Sequence, residues 1–316
     1  MAKEAAAFFA DLRRRSRSLF GAIFTTAGFS RLITSVSMVS ADPDHQPERM
    51  NQICSPTQCA AGLTATDLEY FHRHGWVIRR ALCSPPTISR MIAEIDVLHE
   101  AMAAATADND DNLTADGAQV AWEEGLASGR RRIRQLMHSE RVSPLLDQAS
   151  RCAEILTVMQ QLIGPDVLLF HSKLMMKSAH DGSFTPWHQD FHYWQYESKA
   201  PTQVNCMLHL DAADAENGSL RFVDGSHKLG LLPAKHFSSK SFSIGLDGDL
   251  DAYPAATMIT MAPGDAVFFG PLVIHGSGPN ASARHRRANT FAFDKPGNRL
   301  EGELPTRNWR CGRAGP

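Results

Sequence analysis

His188-Gln189-Asp190-Phe191-His192-Tyr193 is followed far downstream by Ile274-His275-Gly276-Ser277 and, eleven residues beyond His275, by Arg286. On an extended segment residues i and i+2 point to the same side, so His188 and Asp190 offer one imidazole and one carboxylate to a single ion. A second imidazole from His275 completes a facial set of three ligands with open positions, the pattern of non-haem Fe(II) oxygenases. Arg286 adds a fixed cation whose fork geometry suits one end of a dicarboxylate. A lone His-x-Asp says little, since fourteen histidines stand among 34 acidic residues. The order of the whole set gives it weight.

Around this set, from Val167 onward, the pattern is of short strands with turn signals between them. Strands are expected over 167–176, 202–210, 219–223, 257–261, 266–269, 272–275 and 288–293. Asn217-Gly218, Asp224-Gly225, Pro263-Gly264-Asp265 and Gly278-Pro279-Asn280 punctuate them. In this reading His275 ends an apolar strand, and the glycines after it leave room for a ligand. Upstream, residues 66–69 fit a capping box opening a helix that Gly75 ends. Trp76-Val77-Ile78 reads as a strand. Ser84-Pro85 opens a second helix with Ile88, Met91, Ile92, Ile95 and Leu98 on one face. A third runs from its cap at Ser143, through Pro144, to Gly164-Pro165. Residues 101–125, rich in alanine and aspartate, read as an active-site lid or a mobile loop. Short strands after an N-terminal helical portion predict a mainly β protein, a β-sandwich or jelly-roll with helices packed on one face.

At 316 residues the chain is long enough for one large domain or two modest ones. A formal net charge of -2 and the lack of an aromatic-basic stripe give no case for nucleic acid. No apolar run approaches the roughly 20 residues that span a bilayer. The six cysteines show no CxxC pairing, which argues against structural zinc and for reduced thiols in an intracellular, cytoplasmic protein. Arg13, Arg14, Arg15, Arg17 and Arg31 among serines resemble a mitochondrial transit peptide. The alternative is an extension preceding a start at Met38. The expected division is an N-terminal extension over 1–62, a catalytic domain over 63–300 and a tail over 301–316. Oligomeric state is left open.

His188-Gln189-Asp190-Phe191-His192-Tyr193, Glu216-Asn217-Gly218-Ser219-Leu220, Gly225-Ser226-His227-Lys228, Gly264-Asp265 and His275-Gly276-Ser277-Gly278-Pro279-Asn280 with Arg286 occur in one order. That series resembles the phytanoyl-CoA dioxygenase family over roughly Leu63 to Phe293. The resemblance implies a double-stranded β-helix (cupin-like) core, Fe(II), and 2-oxoglutarate with O2 as co-substrates. It implies His188, Asp190 and His275 as iron ligands, with Arg286 and Ser277 on the far carboxylate of 2-oxoglutarate. Arg284 and Arg287 compete for that role; the family's spacing from the distal His selects Arg286. Lys177 and Met207 are further candidates beside the co-substrate, although relatives often read Lys-Pro where this chain has Lys177-Ser178. His227 reads as structural.

His171, Lys173 and Met175 share a face of the strand entering the site, and with Phe191 and Trp194 they are candidates for the substrate pocket. The aromatic run from Phe191 to Tyr196 is equally a pocket wall or core. The implied reaction is hydroxylation of an aliphatic C–H in a small or lipid-like substrate, with 2-oxoglutarate and O2 going to succinate and CO2. Asp190 disfavours halogenation, in which that carboxylate gives way to halide. Alternatives are an acyl-CoA hydroxylase of the phytanoyl-CoA type, a cupin metalloenzyme that does not use 2-oxoglutarate, or a degenerate binding protein. No G-x-S-x-G elbow and no convincing P-loop or G-x-G-x-x-G supports a hydrolase or nucleotide enzyme.

Overall fold

The computed structural model of the protein describes residues 62–105, 112–113, 117–123, 131–236, 244–247 and 251–300. The arginine-rich segment and the tail over 301–316 lie outside them. The first helix, α1 (Ala65–His74), is capped by Thr64: its hydroxyl accepts from the Asp67 N–H, and the Asp67 carboxylate accepts from the Thr64 N–H. The capping box therefore begins two residues earlier than expected. Glu69, the acid that would serve a box starting at Thr66, pairs instead with Arg73 one turn on. Gly75 ends the helix at φ 88°, as expected of a left-handed cap, and β1 (Trp76–Arg79) follows.

Helix α2 (Pro85–Ala105) buries Ile88, Met91, Ile95 and Met102. It runs through Ala101–Ala105 because alanine is the best helix former. In place of the expected lid or loop, the described part of 101–125 is thus this helix end and two strands. These are β2 (Asn112–Leu113) and β3 (Gln119–Trp122), which pair with each other, and β3 pairs with β4 (Ile133–Met137). The single helix expected after Ser143 is two, α3 (Pro144–Ala149) and α4 (Ala153–Ile163). Ser143 caps the first as predicted. The break follows from Ser150 Oγ and Arg151 Nε, which both donate to the Asp147 carbonyl and so compete with the helical ladder.

The remaining strands are β5 (Leu168–Lys177), β6 (Thr185–His188), β7 (Val204–His209), β8 (Leu220–Phe222), β9 (Lys235–His236), β10 (Ile244–Gly245), β11 (Thr257–Met258), β12 (Ala266–Phe269), β13 (His275–Ser277) and β14 (Arg286–Asp294). A short helix, α5 (Phe191–Trp194), follows β6. One sheet has the order β1-β12-β7-β14-β5-β4-β3-β2 and another the order β11-β8-β13-β6, with all pairs antiparallel. Side chains alternate across the large sheet. Cys206, Leu208, Phe268, Phe291 and Phe293 pack with Ile88, Met91, Leu146, Ile155 and Met159 of the helices. Met207, Val267, Phe269 and Ala288 face inward and pack with Leu220 and Phe222 of the small sheet. All nine residues of β14 are buried because both its faces are covered. No helix among the described residues is long and apolar enough to cross a membrane.

Two turns differ from expectation in their consequences. His275 opens β13 rather than ending a strand, because the chain turns at Gly270, with the Val273 N–H bonded back to the Gly270 carbonyl. Gly276 serves the neighbouring strand rather than a ligand: a Cβ there would lie 3.1 Å from the Thr185 carbonyl oxygen and 3.2 Å from the Trp187 ring. Gly264 is the strictest turn position, with φ 90° and a Cβ that would stand 2.3 Å from the Cys83 carbonyl oxygen. Gly264→Ala is expected to cost about 2–3 kcal/mol from strain and clash together, read as a lower urea midpoint with unchanged slope. A midpoint equal to wild type would refute this account of the turn.

Candidate metal centre

Strand β6 delivers His188 at its end, and β13, paired beside it, delivers His275 directly opposite. Asp190 is not on an extended segment as the i, i+2 argument supposed. It sits at φ -58°, ψ -30°, where the chain turns into α5. The turn still brings its carboxylate to the two rings. His188 Nε2 lies 3.6 Å from Asp190 Oδ1, and His275 Nε2 lies 3.8 Å from Asp190 Oδ2. One ligand atom from each residue falls within 4.8 Å of the others, and all three residues are buried. That span suits one cation held at bonds of about 2–2.2 Å.

The surrounding groups set the chemistry of these donors. His188 Nδ1 lies 2.9 Å from the Pro186 carbonyl and His275 Nδ1 lies 3.0 Å from the Val273 carbonyl. A carbonyl can only accept, so in each neutral ring Nδ1 carries the proton and Nε2 presents its lone pair inward. Burial, and then the neighbouring His188, push the His275 ring down to about 3, so it is neutral at physiological pH. Burial alone would raise the Asp190 carboxyl. The surrounding His275 and His188 rings and the charge of Lys173 outweigh it and hold the carboxyl well below its usual range. Asn205 Nδ2 donates to Asp190 Oδ2 at 2.8 Å and fixes the carboxylate's orientation. Two neutral imidazoles and one oriented carboxylate match a facial Fe(II) site.

The ligands line a cavity of about 410 Å³, counted with its open mouth. Across it stand Arg286, Ser277 and Thr290. Arg286 is 2% exposed, and its Nε and Nη1, with Ser277 Oγ and Thr290 Oγ1, have no hydrogen-bond partner among the described residues. Burial lowers Arg286 to about 10, so it remains a cation. Its two competitors are already paired. Exposed Arg284 bonds Asp214 and Glu216, and the residue precedes β14. Arg287 forks onto Asp211 and also meets Asp96. A buried cation flanked by unpartnered donors is a receptor for a carboxylate.

Of the other expected residues, Lys173, Met175 and Met207 line the cavity. Lys177 lies directly across the strand pair from Arg286 but spends its ammonium on the Ser183 and Gly278 carbonyls, at 2.5 and 2.7 Å. His171, Phe191 and Trp194 are not among the lining residues. Phe191 and Trp194 pack with Phe170 and Ala292, and the His171 ring meets Trp194 edge-on. The aromatic run is a fastening rather than a pocket wall. Gln189 bonds the Gly230 and Leu272 carbonyls and the Leu232 N–H, His192 meets the Leu232 carbonyl, and the Tyr193 hydroxyl donates to the Ile244 carbonyl. These bonds tie Gly230, Leu232 and Ile244 to the turn that carries Asp190. Tyr196 is exposed, and His227 contacts the His72 carbonyl away from the cavity. Asn205, Thr185 and Thr290 escaped sequence reading, although Asn205 and Thr290 share strand faces with Met207 and Arg286 at even spacing.

Residues 71–288 match the phytanoyl-CoA dioxygenase (PhyH) family. L-Proline trans-4-hydroxylase of Streptomyces griseoviridis is 30% identical over 195 residues, covering 56% of this chain and 71% of that protein. Ectoine dioxygenase of Bordetella parapertussis is 26% identical over 247 residues, covering 73% and 75%. The bovine peroxisomal phytanoyl-CoA dioxygenase is 34% identical over 146 residues, covering 44% of this chain and 43% of that one. In three dimensions, EctD from S. alaskensis with 2-oxoglutarate and 5-hydroxyectoine superposes at a TM-score of 0.58 with 21% identity, covering 81% and 86%. The crystal structure of the same protein with bound Fe gives 0.58 at 20% identity, covering 81% and 85%. The sheets described above are therefore a double-stranded β-helix. With ordered site motifs, a matching span of most of the chain and this fold in agreement, the chain belongs to the phytanoyl-CoA dioxygenase family, as a dioxygenase dependent on Fe(II), 2-oxoglutarate and O2.

Proposed function

We propose that this protein hydroxylates an aliphatic C–H of a small molecule, with His188, Asp190 and His275 holding Fe(II) and Arg286 anchoring 2-oxoglutarate. The observation that carries the reading is Arg286, a buried guanidinium with unpartnered donors in a cavity shared with the three ligands. Ser277 and Thr290 offer their free hydroxyls to the same carboxylate. Bound iron supplies the oxidative decarboxylation of 2-oxoglutarate and, from it, the oxidant that attacks the C–H bond. The protein's own part is position, charge and exclusion of water. Asn205 holds the carboxylate, the Pro186 and Val273 carbonyls hold the rings, and Met175, Met207, Leu220 and Phe269 supply an apolar wall.

A small substrate is favoured over an acyl-CoA. Two of the relatives above are named for L-proline and ectoine, both small molecules. An enzyme independent of 2-oxoglutarate, or a binding protein, would leave Arg286 without a task. Succinate release should be measured with Fe(II), 2-oxoglutarate and O2 against a panel of free amino and imino acids, terpenoids and acyl-CoAs. Stimulation by a small metabolite is the expected result. Stimulation by acyl-CoAs alone would overturn the choice of substrate size. No succinate in any mixture would overturn the reaction.

A further inference from the structure

The cavity holds one cation more than the proposed reaction uses. Lys173 lies on β5 with its Cα registered against Thr290 on one side and Met137 on the other, and its side chain lines the cavity with the three ligands. Among the described residues its ammonium has no hydrogen bond or ion pair. The neighbouring basic groups are occupied: Lys177 by two carbonyls, and Arg134 by the Ser183 hydroxyl and the Phe184 carbonyl. Asp190 is the one acid lining the cavity, and it belongs to the ligand set. With a divalent iron and a dianionic 2-oxoglutarate in place, Asp190, Arg286 and Lys173 leave a single uncompensated positive charge. Lys173 is half-buried, and a partly desolvated ammonium gains from a counter-ion, so the occupied site favours entry of one further monoanion.

We propose that Lys173 is the binding residue for a carboxylate of the substrate, so that the protein acts on a small free carboxylic acid rather than on a neutral ester, amide or thioester. The inference rests on the co-substrate role given to Arg286 above. Met175, Met207, Leu220 and Phe269 make up the apolar part of the lining. It therefore accepts an aliphatic body whose acidic end is held at β5 while the body extends towards the metal ligands. The α-carboxylate of 2-oxoglutarate is the other source of the same chemistry, and the experiment separates the two.

The complex with Fe(II) and 2-oxoglutarate is formed without oxygen, and its visible absorption band is titrated with isobutyrate and with isobutyramide, which have the same shape but differ in charge. In wild type, isobutyrate perturbs the band saturably and isobutyramide does not. Lys173→Gln weakens the isobutyrate response at least about 10-fold, the scale of one charged hydrogen bond, and Lys173→Arg restores part of it. The same variant binds 2-oxoglutarate within about twofold of wild type, as expected if no contact to it is lost. An equal response to isobutyramide, or no carboxylate response in a wild type that forms the band, overturns the assignment. A Lys173→Gln loss expressed mainly in 2-oxoglutarate affinity gives Lys173 to the co-substrate instead. Absence of the band in wild type overturns the underlying co-substrate reading, and this inference with it.

Discussion

Arg286→Ala raises the 2-oxoglutarate concentration needed for half-maximal succinate release by on the order of 100-fold, whereas Arg284→Ala changes it by less than about twofold. Position in the dielectric explains the contrast. Arg286 is buried, remains cationic, and finds no acceptor among the described residues for Nε and Nη1. Its attraction for a carboxylate is therefore little screened, and truncation also strands the bound dianion without a partner. Arg284 is exposed and meets Asp214 and Glu216 in water-screened pairs. Arg287→Ala separates the two roles again. It removes a fork onto Asp211 and a contact to Asp96, and so lowers the denaturation midpoint more than it raises the 2-oxoglutarate requirement. Equal effects of Arg284→Ala and Arg286→Ala on the requirement would show that the anchor lies elsewhere.

Asp190→Ala abolishes stoichiometric Fe(II) binding, and Asn205→Ala weakens it about 10- to 100-fold while leaving the three ligands in place. Asp190 is the sole charged ligand of the set, and without it two neutral imidazoles must compensate a dication in a buried cavity. Asn205 acts through Asp190: its 2.8 Å hydrogen bond fixes which lone pairs of Oδ2 remain for the metal. Asn205→Asp distinguishes orientation from bulk, since it preserves size but offers no N–H to the carboxylate when ionised. Anaerobic equilibrium titration with Fe(II) measures both. If Asn205→Ala bound iron as tightly as wild type, the carboxylate would need no outside orientation.

The ligand set was legible because its residue types and order lie in the chain itself. Its geometry was not. The i, i+2 spacing puts His188 and Asp190 on one side of an extended strand, whereas Asp190 lies in a helical turn beyond the end of β6. Spacing selects Arg286 among three arginines, and it is the one of the three that lines the cavity with the ligand set. The physical reason lies in Asp96, Asp211, Asp214 and Glu216, acids remote in sequence that occupy the other two. Asn205 and Thr290 carry no signature as residue types. They reach the site through the antiparallel register of β7 and β14, which sets Thr290 against Met207, and a single sequence does not disclose such a register. The aromatic run after the metal motif reads equally as pocket wall or core, and the turn into α5 decides for core by carrying Phe191 and Trp194 to Phe170 and Ala292. The capping box slipped by two residues because two Thr-x-x-acid patterns overlap in residues 64–69, and only the partner of Glu69 decides between them.

The visible absorption of the protein mixed with Fe(II) and 2-oxoglutarate in the absence of oxygen is the most direct test of the central claim, that His188, Asp190 and His275 hold an iron to which 2-oxoglutarate binds. The account predicts a weak charge-transfer band in wild type that requires both additions and is absent from His188→Ala. No band in wild type, or an unchanged band in His188→Ala, would contradict it.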